Sequence, residues 1–370
     1  MTPLELSIMA SVFLVVLMTA LTFMFFFSTT WERKDDSSGS DTDLGPLLSN
    51  LYLDENLECE EFAPDAMSLE ARGKEAAGEG HLIESVYNYM SAAIIRGEAP
   101  LPPPFLREVL LPDITRIRKY IPPEIFHDHI AHNCIRNPIT VLFNALSQPG
   151  LDLKSDSHGG FGLKPEHQAS NHRKLETVSG YTALISRVFL KFEPDIYFRP
   201  DLQSIYHAPT IKLGKWFPSL VIGGDVTGLA ENEIIFSLAR KIALFRPELR
   251  FLTFFDSNED YVIFSEDFVK NKDKSVVLKN LMAGISPLKI KLIVDTIESL
   301  KECTVKDLVS WRKGALLTLH RCAFLVMPRW IEVNHLISSE ESEYIKNDLS
   351  SWMISPDFFF ILKYLDIIPE

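Results

Sequence analysis

The chain has 370 residues, 46% of them hydrophobic and 24% charged, enough for one or two compact domains at roughly 150 residues each. A net charge of -13 with a pI near 5.3 repels phosphate backbones and no basic stripe offsets it, which argues against a nucleic-acid partner. Cys59, Cys134, Cys303 and Cys322 are scattered with no CxxC pair, which argues against a zinc knuckle or a disulfide framework and leaves reduced thiols.

In chain order, Ile8 to Phe27 (IMASVFLVVLMTALTFMFFF) carries no charge. At 1.5 Å per residue it reaches about 30 Å, one bilayer core, and predicts a transmembrane anchor over residues 1–30 with the lipid bilayer as its partner. Met1 to Ser7 has no Lys or Arg, and no small-x-small cleavage site follows Phe27, so a cleaved signal peptide fits less well. Trp31, Arg33 and Lys34 follow the apolar run directly, so the positive-inside bias places the carboxyl-terminal bulk in the cytoplasm.

Residues 31–80 are acidic and rich in small polar side chains (DDSSGSDTD, DENLECEE, GKEAAGEG) and predict a flexible tether. Leu44 to Leu53 (LGPLLSNLYL) is an apolar island within it. Over residues 81–150 helical periodicity takes over in LIESVYNYMSAAII, FLREVLLPDITRIRKYI, IFHDHIAHNCI and ITVLFNALSQ, punctuated by prolines. Leu151 to Lys174 is polar and glycine-bearing and predicts a long loop. From 175 to 370, TALISRVFLKF reads as a helix and DIYFR, SLVIGG, FLTFF and YVIF as short strands; the rest returns to helices. Ser355 and Pro356 mark the start of the last one as cap and first helical position.

In ENEIIFSLARKIALFRPE, Ile234, Leu238, Ile242 and Phe245 form one stripe at a 3.6 period, with Ala239 and Ala243 beside it. Glu231 and Glu233 in the first turn and Arg240, Lys241 and Arg246 in the last match the helix macrodipole, and Pro247 stops the helix. A core helix explains all of this.

Taken with its surroundings, this region resembles the catalytic domain of the membrane-associated gluzincin metallopeptidases. EPDIYFRPD (Glu193 to Asp201) matches the strand signature P-x-[IV]-Y, and PSLVIGGDVTGLAENEIIFSLARKIAL (Pro218 to Leu244) follows in the order of the strand and the H-E-x-x-H helix. The resemblance sets the two zinc-binding histidines on Arg240 and Leu244 and the general base on Lys241. In LLTLHRCAFLV it sets the glutamate ligand on Leu316 and the following aspartate on His320. Zinc needs neutral or anionic donors, so Arg, Leu and Leu leave nothing to hold it, and a cationic Lys is a poor base. The chain is most similar to the degenerate domains that end certain large bacterial tetratricopeptide-repeat proteins. The resemblance implies a mainly helical α+β fold: a transmembrane helix, a helical region, and a zincin-like domain with a small sheet. It implies a pseudoenzyme with no catalytic, cofactor or metal residue, acting as a membrane-anchored scaffold or assembly subunit for protein partners at a bacterial inner membrane.

Three other patterns carry candidate chemistry. HDHIAH (His127 to His132) lacks the Asp of a metal-binding H-x-H-x-D-H; on a helix His129 and His132 would share a face, with Cys134 nearby. HGGFG (His158 to Gly162) resembles an oxyanion loop, but the chain has no G-x-S-x-G. GGD (Gly223 to Asp225) lacks the lysine and glycine spacing of a phosphate loop. The alternative function is therefore a membrane-anchored hydrolase built on His127, His129 and His158. Trp311, Trp330 and Trp352 read as packing residues.

Overall fold

A computed structural model describes residues 65–98, 101, 103–106, 114–154, 162–208, 210–212, 215–255, 257–271, 278, 287–327, 336 and 342–368. Among these residues no helix is long and apolar enough to cross a membrane, which corrects the expectation of a single-pass membrane protein; Ile8 to Phe27 lies outside the described residues.

Within the segment read as a tether, α1 spans Ala66–Gly78 and pairs with α2, Leu82–Ile95. AMSLEARGKEAAG is rich in strong helix formers, Asp65 caps it by accepting from the Ser68 N–H at 2.9 Å, and Leu69, Gly73 and Ala76 are buried at helical spacing. Composition alone underrated these small residues as a packing face.

The expected helix through FLREVLLPDITRIRKYI is not formed over its described end. Ile114–Arg116 is a single 3-10 turn followed by extended chain, whose Ile121 N–H bonds the Val188 carbonyl at 2.9 Å. Next come α3, Pro123–His129, and α4, Pro138–Lys154. The latter runs into the stretch read as loop, and short 3-10 turns fill 165–175.

After α5 (Glu176–Phe189), β1 (Asp195–Arg199) runs parallel to β5 (Ser219–Gly223), and β2 (Ile205–His207) pairs with the other side of β5 in antiparallel register. A hairpin, β3 (Thr210–Lys212) with β4 (Lys215–Phe217), forms a separate two-stranded sheet. β5 is buried along its whole length, which explains the unbroken apolar run SLVIG.

α6, Glu231–Ala243, follows. FLTFF is a 3-10 turn and YVIF lies inside α7, Asn258–Asn271, rather than in strands. Ser257 and Asp260 cap that helix reciprocally, and Tyr261, Phe264, Ser265 and Phe268 bury one helical stripe, so capping and period override the β-branched look of the segment. The chain closes with α8 (Pro287–Ser299), α9 (Val305–Val326), α10 (Ser342–Trp352) and α11 (Pro356–Tyr364), the last capped by Ser355 as expected.

The described fold is mainly helical with a small sheet; a main hydrophobic core runs from Val86 to Leu365, and a small second cluster gathers Leu163, Ala208 and Val221. Tyr87 packs edge-on against Phe358 at 5.0 Å, Trp311 Nε1 donates to Thr140 Oγ1 at 2.7 Å, and Ser91 donates to the Ser350 carbonyl at 2.9 Å. The helical region and the carboxyl-terminal region therefore share one interior.

Candidate functional site

α6 packs between α5 and α9, and every member of its expected apolar stripe is buried. The same packing brings the residues singled out on α6 and α9 to one junction. The Phe236 ring lies 6.0 Å from the His320 ring and 5.8 Å from the Arg240 guanidinium. His320 is buried, and its Nδ1 donates to the Leu316 carbonyl at 2.9 Å, which leaves Nε2 as an acceptor when the ring is neutral. Burial, and then the charge of Arg240, holds its pKa down at about 3.

On the opposite side of α6, His207 of β2 donates Nε2–H to the Lys241 carbonyl at 2.7 Å. Its pKa is also lowered to about 3, by burial first and the Lys241 charge second. The pKa of Lys241 is lowered in turn by its own desolvation and by Arg240, and among the described residues no carboxylate is one of the charges acting on it. α6 thus turns Arg240 toward His320 on α9 and Lys241 toward His207 on β2. Arg240 and Lys241, as cations, are unfit to ligate a divalent metal ion. Among the described residues, no group of three His, Cys, Asp or Glu could hold a metal ion.

The histidines of HDHIAH go to three different environments, because α3 ends at His129 and the chain turns before His132. His127 is exposed beside Asp128 at 2.9 Å. His129 Nδ1 meets Asp357 Oδ1 at 2.8 Å and its ring stacks on Phe360 at 4.0 Å. His132 is buried, 3.6 Å from Asp348, its Nδ1 accepting from the Cys134 N–H at 3.1 Å. The face shared by His129 and His132 does not exist, because the helix does not continue between them. His158 lies outside the described residues, as does Trp330.

GGD is explained by packing. A Cβ on Gly223 would sit 2.6 Å from the Leu202 carbonyl oxygen and one on Gly224 2.5 Å from that of Pro200, so the loop between β1 and β2 fills the space a phosphate would need. Asp225 accepts from the Ser204 N–H at 2.7 Å and fixes the same loop.

Two buried ion pairs were not singled out in the sequence. Arg246 makes a two-pronged contact to Glu248 at 3.2 and 3.0 Å, donates to the Ile121 and Phe189 carbonyls at 2.9 and 3.0 Å, and covers the Phe126 ring at 3.8 Å. Arg321 on α9 grips Asp348 on α10, with Nε to Oδ2 at 2.9 Å. The alternation of charge and apolar residues in FRPE and HRCAF was the available signal, but it does not name the partners. His207, which stands in an unremarkable three-residue strand, was missed for the same reason. In comparisons with known proteins, no family model, no curated protein and no solved structure matches the chain.

Proposed function

We infer that the region around α6 and α9 is a non-catalytic, pseudo-metallopeptidase module that serves as a scaffold by binding other proteins. The observation that carries this reading is the half-buried Lys241 beside Arg240, where a zinc peptidase would keep its base and first ligand, with no carboxylate of the described residues acting on the lysine. The packing of α6 on α9 supports it, since the two segments assigned to the former metal site are neighbours. A desolvated cation is costly unless an anion meets it, and an acidic side chain or chain end of a partner protein would supply one.

The test pairs two measurements on the full chain: zinc content after purification, and recovery of bound protein by wild type and by Lys241→Met. Substoichiometric zinc, with a specific partner lost in the variant, is the expected result. One equivalent of zinc, or the same partner retained at full strength by the variant, would refute it.

The His129–Asp357 contact favours a second reading, a hydrolase in which Asp357 orients the imidazole. Ester or amide cleavage by purified protein that disappears in His129→Ala would establish that reading in place of the first.

A further inference from the structure

Away from that junction, where α3, α4 and α8 meet, an open hollow of about 510 Å³ is lined by Arg136, His127, Pro138, Val141, Asp295 and Ser299, among others. Its size falls within the roughly 300–1,000 Å³ of ligand sites. Four features of its lining stand out.

Arg136 is held in place: its Nε donates to the Ala131 carbonyl at 3.0 Å, and its Nη2 lies 3.7 Å from Asp357. Asp295, on α8, is exposed and has no ion-pair partner among the described residues. The two opposite charges line one hollow without bridging each other. Pro138 and Val141 add apolar surface to the lining, and Val141 is 47% exposed. The neighbouring hydroxyls are committed as donors, Thr296 to the Leu292 carbonyl at 2.7 Å and Ser299 to the Thr296 carbonyl at 2.7 Å, so each can only accept from a ligand.

From this juxtaposition we propose that the hollow binds a small zwitterion with an aliphatic side chain, of amino-acid to dipeptide size. The ligand carboxylate lies on Arg136, its ammonium faces Asp295 and the acceptor hydroxyls, and its aliphatic group covers Val141 and Pro138. A fixed cation, and an anion unpaired among the described residues, in one hollow match a molecule that carries both charges better than they match a simple anion or cation. The proposal is independent of the reading of the α6–α9 junction.

Calorimetric titration of the full chain tests it with four probes: L-leucine, leucyl-leucine, N-acetyl-L-leucine and L-leucinamide. The expected result is binding of leucine or leucyl-leucine, whichever the size of the hollow prefers, with each blocked analogue weaker by about tenfold. Asp295→Asn, at an exposed position where folding is not at risk, should weaken the zwitterion by a similar factor and leave N-acetyl-L-leucine unchanged. No binding of either zwitterion at millimolar concentration would overturn the proposal. So would an Asp295→Asn variant that weakens free and N-acetylated leucine equally, or neither.

Discussion

The interior holds charge in two ways, and the contrast separates scaffold from site. At Arg246 and Arg321 each buried guanidinium is answered by a carboxylate, and Arg246 also by two backbone carbonyls, so these cations tie distant segments together. On α6, Lys241 is partly desolvated beside Arg240 and His207, with no carboxylate of the described residues acting on it. Burial of charge that is fully matched reads as architecture. A half-buried ammonium that meets no carboxylate among the described residues ties no segments together in this way.

The matched side of the comparison predicts the largest effect. Arg246→Ala leaves Glu248 buried without its cation and two carbonyls without a donor, and it should cost about 3–5 kcal/mol in denaturant unfolding. Arg321→Ala should behave alike through Asp348.

A second matched feature is steric. Gly314 lets α9 approach the turn after α3, since a Cβ there would lie 2.6 Å from the Cys134 Cβ and 3.1 Å from the His132 ring. Gly314→Ala is expected to lose about 1–3 kcal/mol, read as a lower Tm. Gly180→Ala on α5, where nothing lies within 4 Å, should instead be neutral or gain up to about 1 kcal/mol from helix propensity.

Acid probes both sides at once. Burial lowers the pKa of His132 to about 4 and that of His320 to about 3, from 6.5. Both stay neutral in the fold while the unfolded chain takes up their protons below about pH 6.5. Stability is therefore complete above that pH and falls as pH drops toward 4 and then 3. From pH 7 to pH 5 the loss should be on the order of 1–2 kcal/mol per histidine, with His207, half-buried, contributing less. His320→Gln should flatten part of the profile; an unchanged profile would mean that His320 is protonated in the fold.

What the sequence disclosed follows the reach of each signal. The stripe Ile234, Leu238, Ile242, Phe245 and the cap Ser355 act within a few residues, and both appear as expected. The run SLVIGG is a buried strand because its apolar members need no alternation there. YVIF misled because its β-branched residues weigh less than the Ser257–Asp260 cap and the buried period of Tyr261, Phe264 and Phe268. HDHIAH misled because the helix stops at His129, and that stop is set by tertiary partners: the Trp352 indole donates to the His129 carbonyl at 3.0 Å, and Thr318 accepts from the His132 N–H at 2.9 Å. At the junction, the residue types Arg240, Lys241 and His320 were legible in the sequence. The approach of Arg240 to His320 and the contact of His207 on β2 with Lys241 arise only from long-range packing.

The smallest effect belongs to the unmatched side and tests the contrast most directly: the denaturant midpoint of Lys241→Met. Replacing a desolvated ammonium by an apolar side chain of similar length should leave stability unchanged or raise it by up to about 1 kcal/mol. A fall comparable to that of Arg246→Ala would show that Lys241 is matched within the fold, and the junction would then be architecture like the rest of the interior.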